Sequence, residues 1–452
     1  MTATHAPARR TVFLPGAVDD LAAAHRLVSC GLVDSYVVYE RPGARWLAAN
    51  VMAELVAGRE LVTATTAGQT VTVPLGPRPI RCLGDLAAAW PPAWRAYGYL
   101  AFELGQLLHG GVRPALDGPP LAHLVVPELE VQWTAAGTTI RCADAELLRR
   151  AVEVLRETWV MRAAEPAPLP LAPPDDRDRY QAAVADATVA IARGRLRKAV
   201  VSRRLDVPFP VDLPATYALG VTRNTAARTF LLDLGGRRAA GFCPETVVEV
   251  RRDGLVRTQP LAGTRPAGAG GAETRCLREE LRWDPKECYE HVISVRLACE
   301  EMRAVCDYSS IAVRDLMTVK ERGPVQHLAS TVTGRLAGGR DPWDALEALF
   351  PAVTASGVPK AAALDLIAGL EGGERGLYAG VVCMVDGLGD LDGALVLRSV
   401  FQDGGRTWLH AGAGIVAGSE PAREFEETTA KLRSAAGCLV RAAAAAPVEV
   451  RR

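Results

Sequence analysis

Twice between residues 229 and 258 the chain places a glycine turn between two apolar runs. Residues 229–234 and 238–242 flank Gly235-Gly236, and residues 247–250 and 255–258 flank Asp253-Gly254. Both dipeptides tolerate the positive φ of a hairpin, so their strands are expected to run antiparallel. Further strands are expected at 35–40, 71–74, 380–385 and 394–401, with another starting near Lys198. Long helical patterns stand at 285–306 and 421–441. Runs of strands broken by single long helices, with no regular βαβ alternation, indicate an α+β fold: two packed, largely antiparallel β-sheets with helices on the outside.

The main seam falls at 164–176. Five prolines between residues 165 and 174 forbid a helix interior and favour an extended linker. Residues 1–172 are therefore expected to form an N-terminal α+β part that completes the sheets, and residues 173–452 the catalytic region. Upstream of the seam, 144–162 carries a helical stripe. Downstream, Tyr180, Val184, Ala187 and Ile191 recur at helical spacing, and Gly194 can close that helix as a left-handed cap.

Composition narrows the partners. Lys+Arg 52 balances Asp+Glu 52, which leaves no broad basic footprint for nucleic acid. No apolar run reaches the length of a membrane span, and no apolar segment follows Arg10 to make a secretory signal. The ten cysteines include no Cys-x-x-Cys pair, which argues against a zinc site or a disulfide framework and for a reducing cytoplasm in which most are buried.

Two carboxylate pairs carry the first chemical signal. Lys286-Glu287-Cys288-Tyr289-Glu290-His291 and Glu424-Phe425-Glu426-Glu427-Thr428 each put two glutamates three residues apart, hence on one helix face. Bringing Glu287, Glu290, Glu424 and Glu427 together is costly unless a cation joins them, and all-oxygen ligands suit Mg²⁺ shared with an anionic substrate. Plainer roles stand beside this one. Asp284 can be the N-cap of a helix opened by Pro285, with Glu287 closing a capping box, and Glu424 and Glu427 can be a solvated face with Lys431 paired to Glu427.

Further segments resemble the chorismate-utilising enzymes, the anthranilate, aminodeoxychorismate, isochorismate and salicylate synthases, in order and spacing. They are Thr258-Gln259-Pro260-Leu261-Ala262-Gly263-Thr264-Arg265, Val325-Gln326-His327-Leu328-Ala329-Ser330-Thr331-Val332, residues 349–360, Gly376-Leu377-Tyr378-Ala379-Gly380 and Ala411-Gly412-Ala413-Gly414-Ile415-Val416. The resemblance is strong over residues 180–441, extends to Tyr97-Gly98-Tyr99-Leu100-Ala101-Phe102-Glu103, and is greatest to the mycobactin-type salicylate synthases. It implies the chorismate-binding fold and a Mg²⁺-dependent monomer that takes chorismate through isochorismate to salicylate and pyruvate without a glutaminase subunit.

The same resemblance implies roles residue by residue. Lys198 matches the base that activates water, its pKa to be lowered by burial or by cationic neighbours such as Arg195, Arg197, Arg203 and Arg204. Glu245, aimed by Pro244, matches the acid. His327 and Thr354 match positions near the reacting ring. Tyr378 and Arg398 match residues that hold the pyruvyl carboxylate, and Gly263, Thr264, Gly412, Ala413, Gly414 and Lys431 match substrate contacts. Glu290 and Glu427 match direct metal ligands, with Glu287 and Glu424 close by or acting through water. Two positions depart from salicylate-forming relatives, Gln259 where glutamate is usual and Cys243 where serine is common. Val37-Val38-Tyr39-Glu40 stands where a tryptophan-feedback motif would lie, so amino-acid feedback is not expected. An isochorismate synthase and an aminating synthase with a separate glutaminase remain the alternatives.

Overall fold

The computed structural model describes residues 9–16, 18–90, 93–157, 164–267, 270–322 and 325–443. Among them 21 strands join one hydrogen-bonded network in which every pairing between strands is antiparallel, with helices packed against it. The Gly235-Gly236 turn explains part of this: both glycines adopt left-handed φ, +59° and +80°, and the hairpin Arg228–Leu234 with Arg237–Cys243 closes around them. Strands on either side of the proline-rich segment pair with one another. Tyr36–Arg41 lies against Arg228–Leu234, and Arg95–Leu100 against Val381–Asp386.

The period of two along each strand feeds separate cores. Val37, Tyr39, Phe230 and Leu232 enter one, while Val38 and Leu231 point the other way into a second. A third core positions the site. There Tyr180, Val184 and Ala187 of the helix Pro174–Ala192 pack on Ala199, Val201, Ala413 and Ile415. The alternate residues of the same two strands, Lys198, Val200 and Ser202 with His410, Gly412 and Gly414, are thereby turned to the opposite face.

Phe425 joins that third core and anchors the helix Pro421–Ala436. Its ring lies 6.1 Å from Tyr180 and beneath the Arg203 guanidinium at 4.4 Å, a burial worth roughly 2–3 kcal/mol. Arg203 also donates to Thr428 and Thr429 at 2.8 Å each. With Phe425 facing inward, Glu424, Glu427 and Lys431 are carried to the face that meets the helix Pro285–Met302.

Several expected elements are shorter or broken. The helical stripe at 144–162 forms Ala145–Arg156 with Asp144 as N-cap, and 158–162 lie outside the described residues. The stretch 394–401 is two strands, Leu391–Leu395 and Ser399–Asp403. The break falls at residues 396–398, where Arg398 takes φ +50° and leaves the extended conformation of the flanking strands. Of the cysteines, Cys142, Cys243, Cys306, Cys383 and Cys438 are buried, Cys30 and Cys276 are exposed, and all ten are free thiols.

Candidate active site

One cavity gathers most of the expected residues. Glu245, Thr354, His327, Tyr378 and Arg398 line it with Gly263, Thr264, Gly412, Gly414 and Lys431, and the carboxylate pairs contribute Glu290 and Glu427. Lys198, Ala413, Glu287 and Glu424 stand outside that lining. The Ala413 side chain faces the third core instead, because residues that alternate along a strand face opposite sides.

Lys198 is fully buried behind Glu290. Its Nζ lies 3.0 Å from Glu290 Oε1 and donates to Ser294 Oγ at 3.0 Å. The expected ring of arginines is absent from this geometry. Arg195 and Arg197 are exposed, Arg203 pairs with Asp176, and Arg204 lies over Trp408 at 4.0 Å. The charged partner of the ammonium is therefore an anion contributed by the neighbouring helix, which the local sequence gives no means of seeing.

Glu245 occupies the turn between Arg237–Cys243 and Thr246–Val250. Burial pushes its carboxyl up to about 8, against the opposing pull of the Thr354 hydroxyl and Lys198. Thr354 donates to Glu245 Oε1 at 2.6 Å. A carboxyl with that pKa is neutral at pH 7 and has a proton to give.

His327 and Arg398 fix one another. His327 Nδ1 is 2.8 Å from the Gly263 carbonyl, which can only accept, so the hydrogen resides on Nδ1 and Nε2 is left as an acceptor for the Arg398 guanidinium. Burial, then Arg398, holds the imidazole pKa well below its usual value. A neutral ring with its lone pair already occupied serves to orient Arg398. The other arm of Arg398 donates to the Arg322 carbonyl at 2.7 Å. The glycines have steric reasons: a Cβ on Gly414 would meet Glu290 Oε1 at 2.0 Å, and one on Gly412 would meet the Tyr378 hydroxyl at 2.9 Å.

The four glutamates come together, though not as a formed metal cage. Among the described residues no three His, Cys, Asp or Glu side chains converge tightly enough to hold an ion. Lys286, which sequence reasoning passed over, lies between them instead, with its Nζ 3.0 Å from Glu424, 3.5 Å from Glu287 and 3.8 Å from Glu290. Lysine four residues before the C-terminal carboxylate of the pair, Glu290, was the available signal. Asp284 caps the helix by accepting from the backbone N–H groups of Lys286 and Glu287, while the Glu287 carboxylate receives Arg265 at 3.3 Å and leaves its buried Oε2 without a partner. The capping-box role is thus not taken up. Glu424 Oε2 is likewise buried and unpartnered. Burial and the Glu427 charge raise the pKa of both Glu287 and Glu424. At Glu427 burial acts upward too, but Lys431, 2.7 Å away, and Lys286 outweigh it and hold the carboxyl low. Orphaned carboxylate oxygens around one ammonium fit a hard divalent cation in donor chemistry and charge.

Lys431 also donates to the Gly412 carbonyl at 2.8 Å, so it bridges the carboxylates and the glycine strand. Two further groups escaped sequence reading, His410 and Arg375. Each directly precedes a quoted motif, Arg375 before Gly376 and His410 before Ala411, and that adjacency was the available signal.

An antiparallel fold that lines one cavity with a neutral carboxyl and a buried arginine, and sets a buried lysine behind Glu290 at its wall, defines an enzyme for a small anion. A family profile described as chorismate binding enzyme matches residues 35–437, and the chain belongs to that family, the chorismate-utilising enzymes. It is 42% identical over 438 residues to the salicylate synthase of Mycolicibacterium paratuberculosis, a match covering 94% of this chain and 95% of that protein. It is 43% identical over 267 residues to anthranilate synthase component 1 of Streptomyces coelicolor, covering 58% of this chain and 52% of that protein. The crystal structure of anthranilate synthase component I from Streptococcus pneumoniae TIGR4 superposes with a TM-score of 0.75 at 26% identity, over 88% of this chain and 93% of that one.

Proposed function

We propose that this enzyme is a Mg²⁺-dependent salicylate synthase that converts chorismate through isochorismate to salicylate and pyruvate. The near end-to-end 42% identity to a salicylate synthase carries the choice of branch; the match to the Streptomyces coelicolor anthranilate synthase component spans 58% of the chain. The cavity supplies the chemistry. In the first step Lys198 takes a proton from the water that adds at C2, and Glu245 gives its proton to the C4 hydroxyl, which leaves as water. The product is the isomer isochorismate.

Lys198 must loosen from Glu290 before it can act, so the contact at 3.0 Å is a resting arrangement. Bound by Glu290 and Glu427, with Glu287 and Glu424 close by or through water, Mg²⁺ would neutralise the ring carboxylate of the substrate. Thr354 steadies Glu245, and Lys431, Thr264 and the backbone of Gly263 and residues 412–414 line the ring pocket. In the second step the hydrogen at C2 passes to the methylene of the enolpyruvyl arm while the C3–O bond breaks, releasing pyruvate as the ring becomes aromatic. No further base is needed, only an arm held over the ring. Arg398, oriented by His327, and Tyr378 would hold its carboxylate, a bidentate contact that lysine could not copy.

In this reading residues 1–172 complete the sheets and 173–452 carry the reaction. The enzyme works as a cytoplasmic monomer without a glutaminase subunit and supplies salicylate to a siderophore or a related salicylate-capped product. Among the described residues no helix is long and apolar enough to cross a membrane. The test is incubation of the purified chain with chorismate, with and without Mg²⁺, and separation of products by chromatography with mass detection. Equal salicylate and pyruvate, formed only with Mg²⁺, are expected. Isochorismate alone would move the enzyme to the isochorismate synthases, and an aminated product formed only with ammonium would move it to the aminating synthases.

A further inference from the structure

His410 sits on the strand Arg406–Ile415, two residues before Gly412, and its ring lies flat against Tyr378 with centroids 3.9 Å apart and planes 10° from parallel. The imidazole does not float there. Its Nε2 is 2.9 Å from Ser202 Oγ, and the Ser202 N–H donates to Glu371 Oε1 at 2.7 Å. Glu371 in turn accepts a fork from Arg375, at 2.5 and 2.8 Å, and Arg375 donates to the Val200 carbonyl at 2.6 Å and the Ala355 carbonyl at 2.8 Å. An unbroken polar chain thus runs from the backbone beside the cavity to the ring that backs Tyr378. Burial, and then the charges of Arg375 and Arg204, keep His410 well below its usual pKa, so the stack is one of neutral rings.

We propose that His410 is a positioning residue for the elimination half of the reaction, its stacked ring setting the tilt of Tyr378 and so the fraction of isochorismate that goes on to salicylate before release. This rests on the reading that Tyr378 holds the enolpyruvyl carboxylate. The two halves differ in what they ask of the site. Hydration acts at C2 and C4 through Lys198 and Glu245, which stand on other elements. Elimination demands that the arm's methylene lie over the C2 hydrogen, and a displacement of about 1 Å at such a contact costs about a hundredfold. A looser Tyr378 therefore slows elimination more than hydration.

The experiment compares three variants with the unaltered enzyme, supplied first with chorismate and then with isochorismate, after thermal melting has shown each to be folded. His410→Gln keeps a hydrogen-bonding group for Ser202 and loses the stack, so the ratio of released isochorismate to salicylate should rise about fivefold or more, with kcat on supplied isochorismate falling in step. His410→Phe keeps a flat ring and should return the ratio toward that of the unaltered enzyme. Ser202→Ala frees the imidazole but leaves it stacked, and should fall between. A fixed ratio in all three variants, with both products declining together, would overturn the proposal, as would His410→Phe behaving like His410→Gln. An unaltered enzyme that forms no salicylate at all would remove the salicylate synthase reading, and the proposal with it, before any variant is compared.

Discussion

Replacing Glu245 with glutamine removes the titrating proton and keeps the bond from Thr354, because the amide oxygen can still accept where Oε1 now accepts at 2.6 Å. A carboxyl that ionises near 4.5 in the unfolded chain and at about 8 in the fold makes the folded state prefer the protonated form. That preference is fully present below pH 4.5, is lost steadily as pH rises, and is gone above about pH 8. At up to about 1.4 kcal/mol per pH unit, less near the two pKa values, the stability of the glutamine variant relative to the unaltered enzyme should grow by roughly 3.5 kcal/mol between pH 5 and pH 8. Urea unfolding at the two pH values reads this difference directly, with Mg²⁺ omitted so that ligation does not intrude. Activity gives the companion result. The unaltered enzyme should lose kcat/KM about tenfold per pH unit above about pH 8, where the acid form disappears, and the glutamine variant should be slower by about 10²–10⁴-fold below that pH. A stability difference that stays constant within about 1 kcal/mol would refute the argument that burial keeps this carboxyl protonated.

Lys198→Ala should abolish isochorismate formation and, by leaving Glu290 buried without its ammonium at 3.0 Å, lower stability by about 3–5 kcal/mol; continued isochorismate production in a product assay would rule out the base role. Lys286→Met withdraws the cation from Glu287, Glu290 and Glu424, so the metal-free protein should melt lower while Mg²⁺ raises its Tm by more than it does for the unaltered chain. An equal Mg²⁺ response in calorimetry would count against the carboxylates as the binding site. Arg398→Lys cannot reach both His327 and the Arg322 carbonyl and should cut conversion of supplied isochorismate at least about tenfold, checked by steady-state kinetics.

The sequence alone determined the antiparallel character of the fold, because Gly235-Gly236 and the Asp253-Gly254 turn are local signals whose φ requirements act within a few residues. It also determined the two glutamate pairs, since i,i+3 spacing fixes a shared face before any tertiary contact forms, and the motif order that marks the family. Tertiary structure decided the electrostatics. Lys198 stands among arginines in the sequence and is held by Glu290 from a helix; Lys286 proves to be the ammonium between the carboxylates. The His327 tautomer and the stack of His410 on Tyr378 depend on groups tens of residues apart. Turn conformation and strand periodicity are written in near neighbours, whereas the charge a buried group feels is set by whatever the fold packs against it, and that partner has no fixed distance in the sequence.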